Sequence, residues 1–292
     1  MRGLLTGIGI GLAIVGLAFL GWLRWLDGRV AETLGRRYDV ALAPIVIPSD
    51  SPSVAEGKRL AHIVGCHGCH GEQLQGRVVV DQERVMRVVA PNVSTMLRLY
   101  SDAELARLIR HGIRRDGTGV LVMPAASYVI LRDADVARVV AWLRTVPAAA
   151  TTLPGSELGL PAKLAVLKGA LLPSAAAIDH RARPATESDA QAADTAGARG
   201  AYLARAACTE CHGLDLHGAL EAPPLVAANG YSEPEFVSLL LDGRSRDGRD
   251  LPTMTKTARE RFASLTSDEI SSIYRYLRAL PAGERAPAIT AP

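Results

Sequence analysis

Cys66-His67-Gly68-Cys69-His70 and Cys208-Thr209-Glu210-Cys211-His212 are the two stretches on which the reading of this 292-residue chain turns. Each is a C-x-x-C-H motif, the pattern by which a polypeptide fixes haem: two thiols add to the porphyrin vinyl groups and the following histidine ligates iron. On a helix, side chains three and four apart share one face. Cys66, Cys69 and His70 would therefore converge on one flat ligand, and so would Cys208, Cys211 and His212. The chain has four cysteines and the two motifs consume all of them, leaving none for a disulfide. Zinc sites or two separate dithiol redox pairs would draw on the same residues. The recurrence of the motif, each copy followed by glycine (Gly71, Gly213), favours two covalently attached haem c groups.

The halves correspond well beyond the motif. Residues 66–76 align with residues 208–218 at an offset of 142. The offset falls to 131 where Ser101-Asp102-Ala103-Glu104-Leu105 meets Ser232-Glu233-Pro234-Glu235-Phe236. It holds there for Arg115-Asp116-Gly117 against Arg246-Asp247-Gly248, and for Met123 against Met254. The first half thus carries about eleven extra residues, near 77–90. Helices are expected over 54–68 and 198–210, entering the motifs, and after the N-cap candidates Ser101 and Ser232. A further pair is expected over 133–145 and 267–279, opened by Asp133 and by Ser267 or Thr266 and ending before a proline. No run alternates as a strand would. Each repeat is predicted to be a small all-α bundle with a long irregular loop between its second and third helices.

That loop carries the candidate sixth ligand. A thioether is a soft donor, and His/Met coordination favours ferrous iron. The ordinary use of methionine is to fill a core, which suffices for Met86 and Met96, neither of which has a counterpart in the second half. Met123 and Met254 are equivalent, lying 53 and 42 residues after His70 and His212. His70, Met123, His212 and Met254 are accordingly the candidate iron ligands. His67, His111 and His217 are replaced by Thr209, Asp242 and Gln75 in the other half, and His62 and His180 match no ligand position. All five are assigned surface or loop roles. Pro91 and Pro223 also align, and a carbonyl at each would receive the second ring N–H of a ligating histidine.

From Gly3 to Leu23 no residue is charged, and about 20 helical residues cover a hydrocarbon core of roughly 30 Å. A cleaved signal peptide would have a shorter apolar run ending in small residues. Here the run ends in Trp22-Leu23-Arg24-Trp25, rings and a cation suited to a membrane interface. Residues 1–26 are expected to be a single-pass anchor in a bacterial inner membrane. Residues 27–52 would form a tether, 53–147 and 198–281 the haem domains, 148–197 a linker and 282–292 a disordered tail. Arg24, Arg29, Arg36 and Arg37, partly offset by Asp27 and Glu32, leave the positive-inside rule equivocal or even reversed, so orientation rests on haem attachment, which bacteria perform in the periplasm. The N-terminus is then cytoplasmic and the haem domains periplasmic. A formal charge of +3 gives no reason to expect a nucleic-acid partner.

Ala90-Pro91-Asn92-Val93, the run Arg110 to Gly117, Met123-Pro124 and Tyr128 together resemble the haem domains of cytochrome c subunits from bacterial membrane-bound dehydrogenases, the alcohol and gluconate dehydrogenase group. The resemblance is close over 54–147 and looser over 198–281, where Met254-Thr255-Lys256 replaces Met-Pro. The chain departs from that family's usual three haem domains and membrane attachment at the other end: its own patterning gives an all-α chain, an N-terminal transmembrane helix followed by two tandem cytochrome c domains. By the resemblance His70 and Met123 ligate one iron and His212 and Met254 the other. It also implies an electron carrier rather than an enzyme. Electrons would pass singly from a dehydrogenase subunit or respiratory complex to a terminal oxidase, small cytochrome or quinone. The rival reading is a dihaem peroxidase, which also has two C-x-x-C-H motifs but needs a five-coordinate iron. The paired Met123 and Met254 speak against it.

Aromatic residues make up 4% of the chain, and domains this small bury little surface on their own. The haem-free protein is therefore expected to lack native near-UV circular dichroism. A native-like spectrum would show that the fold does not depend on the macrocycles.

Overall fold

The computed structural model describes residues 2–181, 196–219 and 222–280. In chain order the first part contains α1 (Arg2–Leu34), α2 (Ser51–Ile63), α3 (Cys66–His70), β1 (Arg77–Gln82), β2 (Met86–Ala90), α4 (Val93–Met96), α5 (Asp102–His111), α6 (Ala125–Tyr128), α7 (Asp133–Thr145), β3 (Glu157–Leu158) and α8 (Leu160–Leu167). The second part contains α9 (Ala196–His212), α10 (Glu233–Asp242), α11 (Pro252–Glu260) and α12 (Ser267–Arg278). The architecture is predominantly helical and doubled. Leu60, Leu105, Tyr128, Val136, Val140 and Trp142 centre one apolar cluster; Leu203, Phe236, Leu240, Ile270, Ile273 and Leu277 centre the other.

The helices begin where short polar side chains satisfy the free amides of a first turn. Ser101 with Glu104, Ser232 with Glu235, and Thr266 with Glu269 each form a reciprocal capping box. In each half the helix leading into the motif crosses the last helix at a glycine. A Cβ on Gly57 would meet the Arg138 carbonyl oxygen at 1.9 Å, and one on Gly200 would meet that of Ser272 at 2.0 Å. The two crossings are equivalent, but Gly57 stands nine residues before Cys66 and Gly200 only eight before Cys208. The first half absorbs its extra residue by breaking the helix at Val64 and Gly65, where φ is +87°. In the second half α9 runs unbroken through His212.

Met254 lies on α11 rather than in an irregular loop, and three further segments depart from expectation. The extra residues of the first half form an antiparallel hairpin, Arg77 pairing with Ala90 and Gln82 with Met86. Its strands show no clean alternation because valines run consecutively and the register shifts between Val78 and Val80. The β-branched residues themselves were the available signal. Secondly, α1 continues to Leu34, since Leu26 and Val30 are buried against Val166 of α8 and Lys163 pairs with Asp27 at 2.6 Å. The chain after it lies on the first domain: Tyr38 N–H donates to Gly117 O at 2.9 Å, and Ile45 and Ile47 pack on the core. Thirdly, residues 148–181 are packed rather than free. β3 covers the open edge of β2, and Ile178 is buried against Ala125 and Val129. The remainder of the expected linker (182–195) and the expected tail lie outside the described residues.

Among the described residues, α1 is the one helix long and apolar enough to cross a membrane, and its apolar stretch is exposed. The two bundles meet directly. Arg59 of α2 reaches Glu269 of α12 at 2.7 Å and the Ser264 carbonyl at 3.0 Å, and Arg199 adds a second cation to the same buried carboxylate. The Tyr202 hydroxyl donates to Asp135 at 2.6 Å, and Arg132 lies over the Tyr202 ring.

The glycine crossings give a direct test. Gly57→Ala and Gly200→Ala place a methyl against backbone that only a shift of a whole helix can relieve. Each is expected to cost about 1–3 kcal/mol, read as a lowered midpoint in denaturant with haem content checked in parallel. Unchanged midpoints would show that the helices separate freely.

Candidate haem sites

Each motif lies on a helical turn that ends at a glycine no other residue would replace without strain: Gly71 at φ +79° and Gly213 at φ +81°. The chain then turns through a leucine in the left-handed region, Leu74 at φ +54° and Leu216 at φ +62°. A buried leucine rarely adopts this conformation, yet both halves use it at the same repeat position. Burial of the side chains, 1% and 2% exposed, holds the turn. Gly76 N–H donates to His70 O, and Gly218 N–H to His212 O, both at 2.8 Å. At Gly76 a Cβ would fall 2.6 Å from Ala90 O, and at Gly218 a Cβ would fall 2.8 Å from Ala222 O. Only glycine lets the following strand of chain close this tightly.

That closure delivers a carbonyl to each histidine. His70 Nδ1 lies 3.0 Å from Pro91 O, and His212 Nδ1 lies 2.7 Å from Pro223 O. A carbonyl can only accept, so Nδ1 carries the proton and Nε2 keeps the free lone pair. Burial depresses both imidazole pKa values, with the proline carbonyls pulling the other way. Both rings are thus held neutral, as a metal ligand must be. Burial also pushes the Cys66 and Cys208 thiols up to about 12, although the residues are half-exposed overall. Two thiols and one oriented imidazole per turn, twice over, match the donor set for covalent haem.

Met123 and Cys66 pack on the edge of the first core, and Met254 and Cys208 on the edge of the second. The Met123 segment is pinned from several sides. The Ser174 hydroxyl, from the packed linker, donates to Met123 O. Val120 N–H donates to Gly112 O at 2.8 Å, and buried Arg110 holds Leu131 O and Asp133. Tyr128 is buried and its hydroxyl donates to Val64 O at 2.7 Å, just ahead of the first motif. In the second half Arg261 takes the comparable position, donating to Ala207 O at 3.3 Å. No pairing between the halves pointed to Arg261.

The non-ligand histidines are less peripheral than expected. His67 is buried, not at the surface: its ring stacks on His62 at 3.6 Å between centroids and lies 5.1 Å from Trp142. The position is buried in the second half as well, where Thr209 bonds its own helix at Arg205 O. Repeat comparison, which sets these residues apart because they are not shared, says nothing of their depth. His111 and His180 are half-buried with their Nδ1 atoms 3.2 Å apart, fastening the linker to α5. His217 is exposed on a loop.

The family model described as Cytochrome c matches residues 54–147 and 197–281. The fructose dehydrogenase cytochrome subunit of Gluconobacter japonicus is 25% identical over 272 residues, covering 82% of this chain and 55% of that protein. The chain thus spans about half the length of this curated relative. The family implies covalently held haem c and electron transfer. With a matched region over each of the two motifs and the histidine geometry repeated in both, the chain belongs to the cytochrome c family.

Proposed function

We propose that this chain is a membrane-anchored dihaem electron carrier, the electron-transfer subunit of a dehydrogenase complex. Cys66 and Cys69 fix one macrocycle and Cys208 and Cys211 the other. His70 and Met123 would hold the first iron, and His212 and Met254 the second. Haem c, when bound, supplies a one-electron ferric/ferrous couple. The protein's part is to orient and to exclude. The Pro91 and Pro223 carbonyls fix the ring tautomer and leave Nε2 free; the thioethers of Met123 and Met254 would add a soft donor that favours the reduced state. With a histidine and a methionine reserved for each iron, the chain would carry electrons without substrate chemistry of its own.

The observation that carries this reading is the duplicated histidine–proline carbonyl contact, which prepares two imidazoles in one tautomer. The donor is proposed to be the catalytic subunit of a membrane-bound dehydrogenase, by similarity to the fructose dehydrogenase cytochrome subunit. The acceptor is a terminal oxidase, small cytochrome or quinone of the respiratory chain. Helix α1 spans the bacterial inner membrane with its N-terminus cytoplasmic and both haem domains periplasmic.

Near-infrared and resonance Raman spectra of the resting protein are expected to report two low-spin His/Met haems. A high-spin ferric haem would favour the peroxidase reading instead. Met254→Ala should lower the potential of one haem and make cyanide binding at that haem at least tenfold faster, leaving the other unchanged. If absorption and potential stay as in the parent protein, Met254 is not a ligand. Purification of the intact membrane complex is expected to yield a dehydrogenase subunit alongside this chain.

A further inference from the structure

Arg261 follows α11, the helix bearing Met254, and its side chain is buried at the boundary between the two bundles. Its guanidinium donates in three directions. Nε reaches Ile63 O at 3.1 Å, the last residue of α2, whose carbonyl has no partner within its own helix. Nη2 reaches Ala207 O at 3.3 Å, the residue before Cys208. Nη1 pairs at 2.8 Å with Glu210, which stands between Cys208 and Cys211. A Cβ on Gly65, the residue before Cys66, would lie 2.6 Å from the guanidinium carbon. One side chain therefore touches the backbone immediately ahead of both attachment motifs.

The break in the first haem helix is what makes this possible. The extra residue at Val64–Gly65 interrupts α2, frees the Ile63 carbonyl and removes the side chain that would otherwise exclude the guanidinium. The second half needs no break, because Arg261 approaches it from its own domain. Electrostatically the position is central. Arg261 and Glu210 form a buried ion pair in contact with the second motif and with the backbone ahead of the first. Cohesion between the bundles is already supplied elsewhere, by Arg59 and Arg199 on Glu269 and by Tyr202 on Asp135. A buried ion pair is no better than apolar packing at holding two surfaces together, so its placement between the motifs calls for a role in the field there.

We propose that Arg261 and Glu210 are positioning residues for electron exchange between the two haem sites: they hold the two attachment motifs against each other and set the potentials of the two irons by opposed charge. This rests on the reading of two haems per chain. The exchange moves one electron, oxidising one iron and reducing the other, with no bond or proton changing hands. A fixed positive charge favours the reduced state of a nearby iron and a fixed negative charge the oxidised state.

The test uses the full haem-loaded chain in detergent, with Arg261→Gln, Arg261→Lys and Glu210→Gln beside the parent. Pyridine haemochrome counting gives haems per chain, potentiometric titration the two potentials, and photoreduction the exchange rate. Two haems are expected throughout. Arg261→Gln should shift the potentials negative and Glu210→Gln positive, opposite signs that a merely structural role would not produce. Arg261→Lys keeps the charge but loses the planar fork that serves two carbonyls. It should preserve the potentials while slowing exchange at least tenfold. Should Arg261→Gln not fold, the other two variants decide the matter. Potentials that stay put or move the same way in both charge variants, or exchange within twofold of the parent in Arg261→Lys, would overturn the proposal. A parent protein with one haem per chain overturns the two-haem reading and this proposal together.

Discussion

On the reading that His70 and His212 ligate iron, each imidazole has to dispose of its second ring nitrogen, and both bundles are built to do so. His70 and His212 donate Nδ1–H to a proline carbonyl, and the carbonyl arrives only because the chain can turn back within a few residues of the motif. The turn needs glycine at Gly71, Gly76, Gly213 and Gly218 and an unusual leucine conformation between each pair. The leucine is held there by the core that the crossing helices create. The helices cross closely only because Gly57 and Gly200 present no side chain to the opposing backbone. Orientation of one ring therefore depends on a chain of contacts running from helix crossing to turn to carbonyl.

The repeat made much of this legible. Ser101 and Ser232 open helices as their spacing with Glu104 and Glu235 suggests, and Pro91 and Pro223 supply the expected carbonyls. Alignment of the halves finds whatever both domains must do, and each of these features is shared. The hairpin at Arg77–Ala90 escaped because it occurs in one half and its valines do not alternate. The depth of His67 escaped because Thr209 fills the same buried place with different chemistry. Arg261 escaped for a deeper reason: comparing two copies of a unit reveals nothing of what joins them.

The same logic explains the packed linker. Leu158, Val166 and Ile178 are spaced too irregularly to mark one element, yet each covers a surface that the first domain leaves open: the free edge of β2, the base of α1 and the side of α6. The segment 148–197 is expected as a linker, whereas the tertiary surface beneath its described part dictates a wrap. Ser174 shows the benefit locally, since its hydroxyl ties the wrap to the carbonyl of Met123.

The burial of Leu26 and Val30 against Val166, with Lys163 on Asp27, fastens the lower end of α1 to the body of the first domain. On the reading that α1 lies in a bilayer, the haem domains ride at a set height and tilt instead of swinging on a leash. A carrier mounted this way cannot sweep a large volume in search of soluble acceptors. Its encounters are restricted to neighbours that drift past in the plane of the lipid or stand permanently beside it, which is the geometry of a wired assembly rather than of a shuttle.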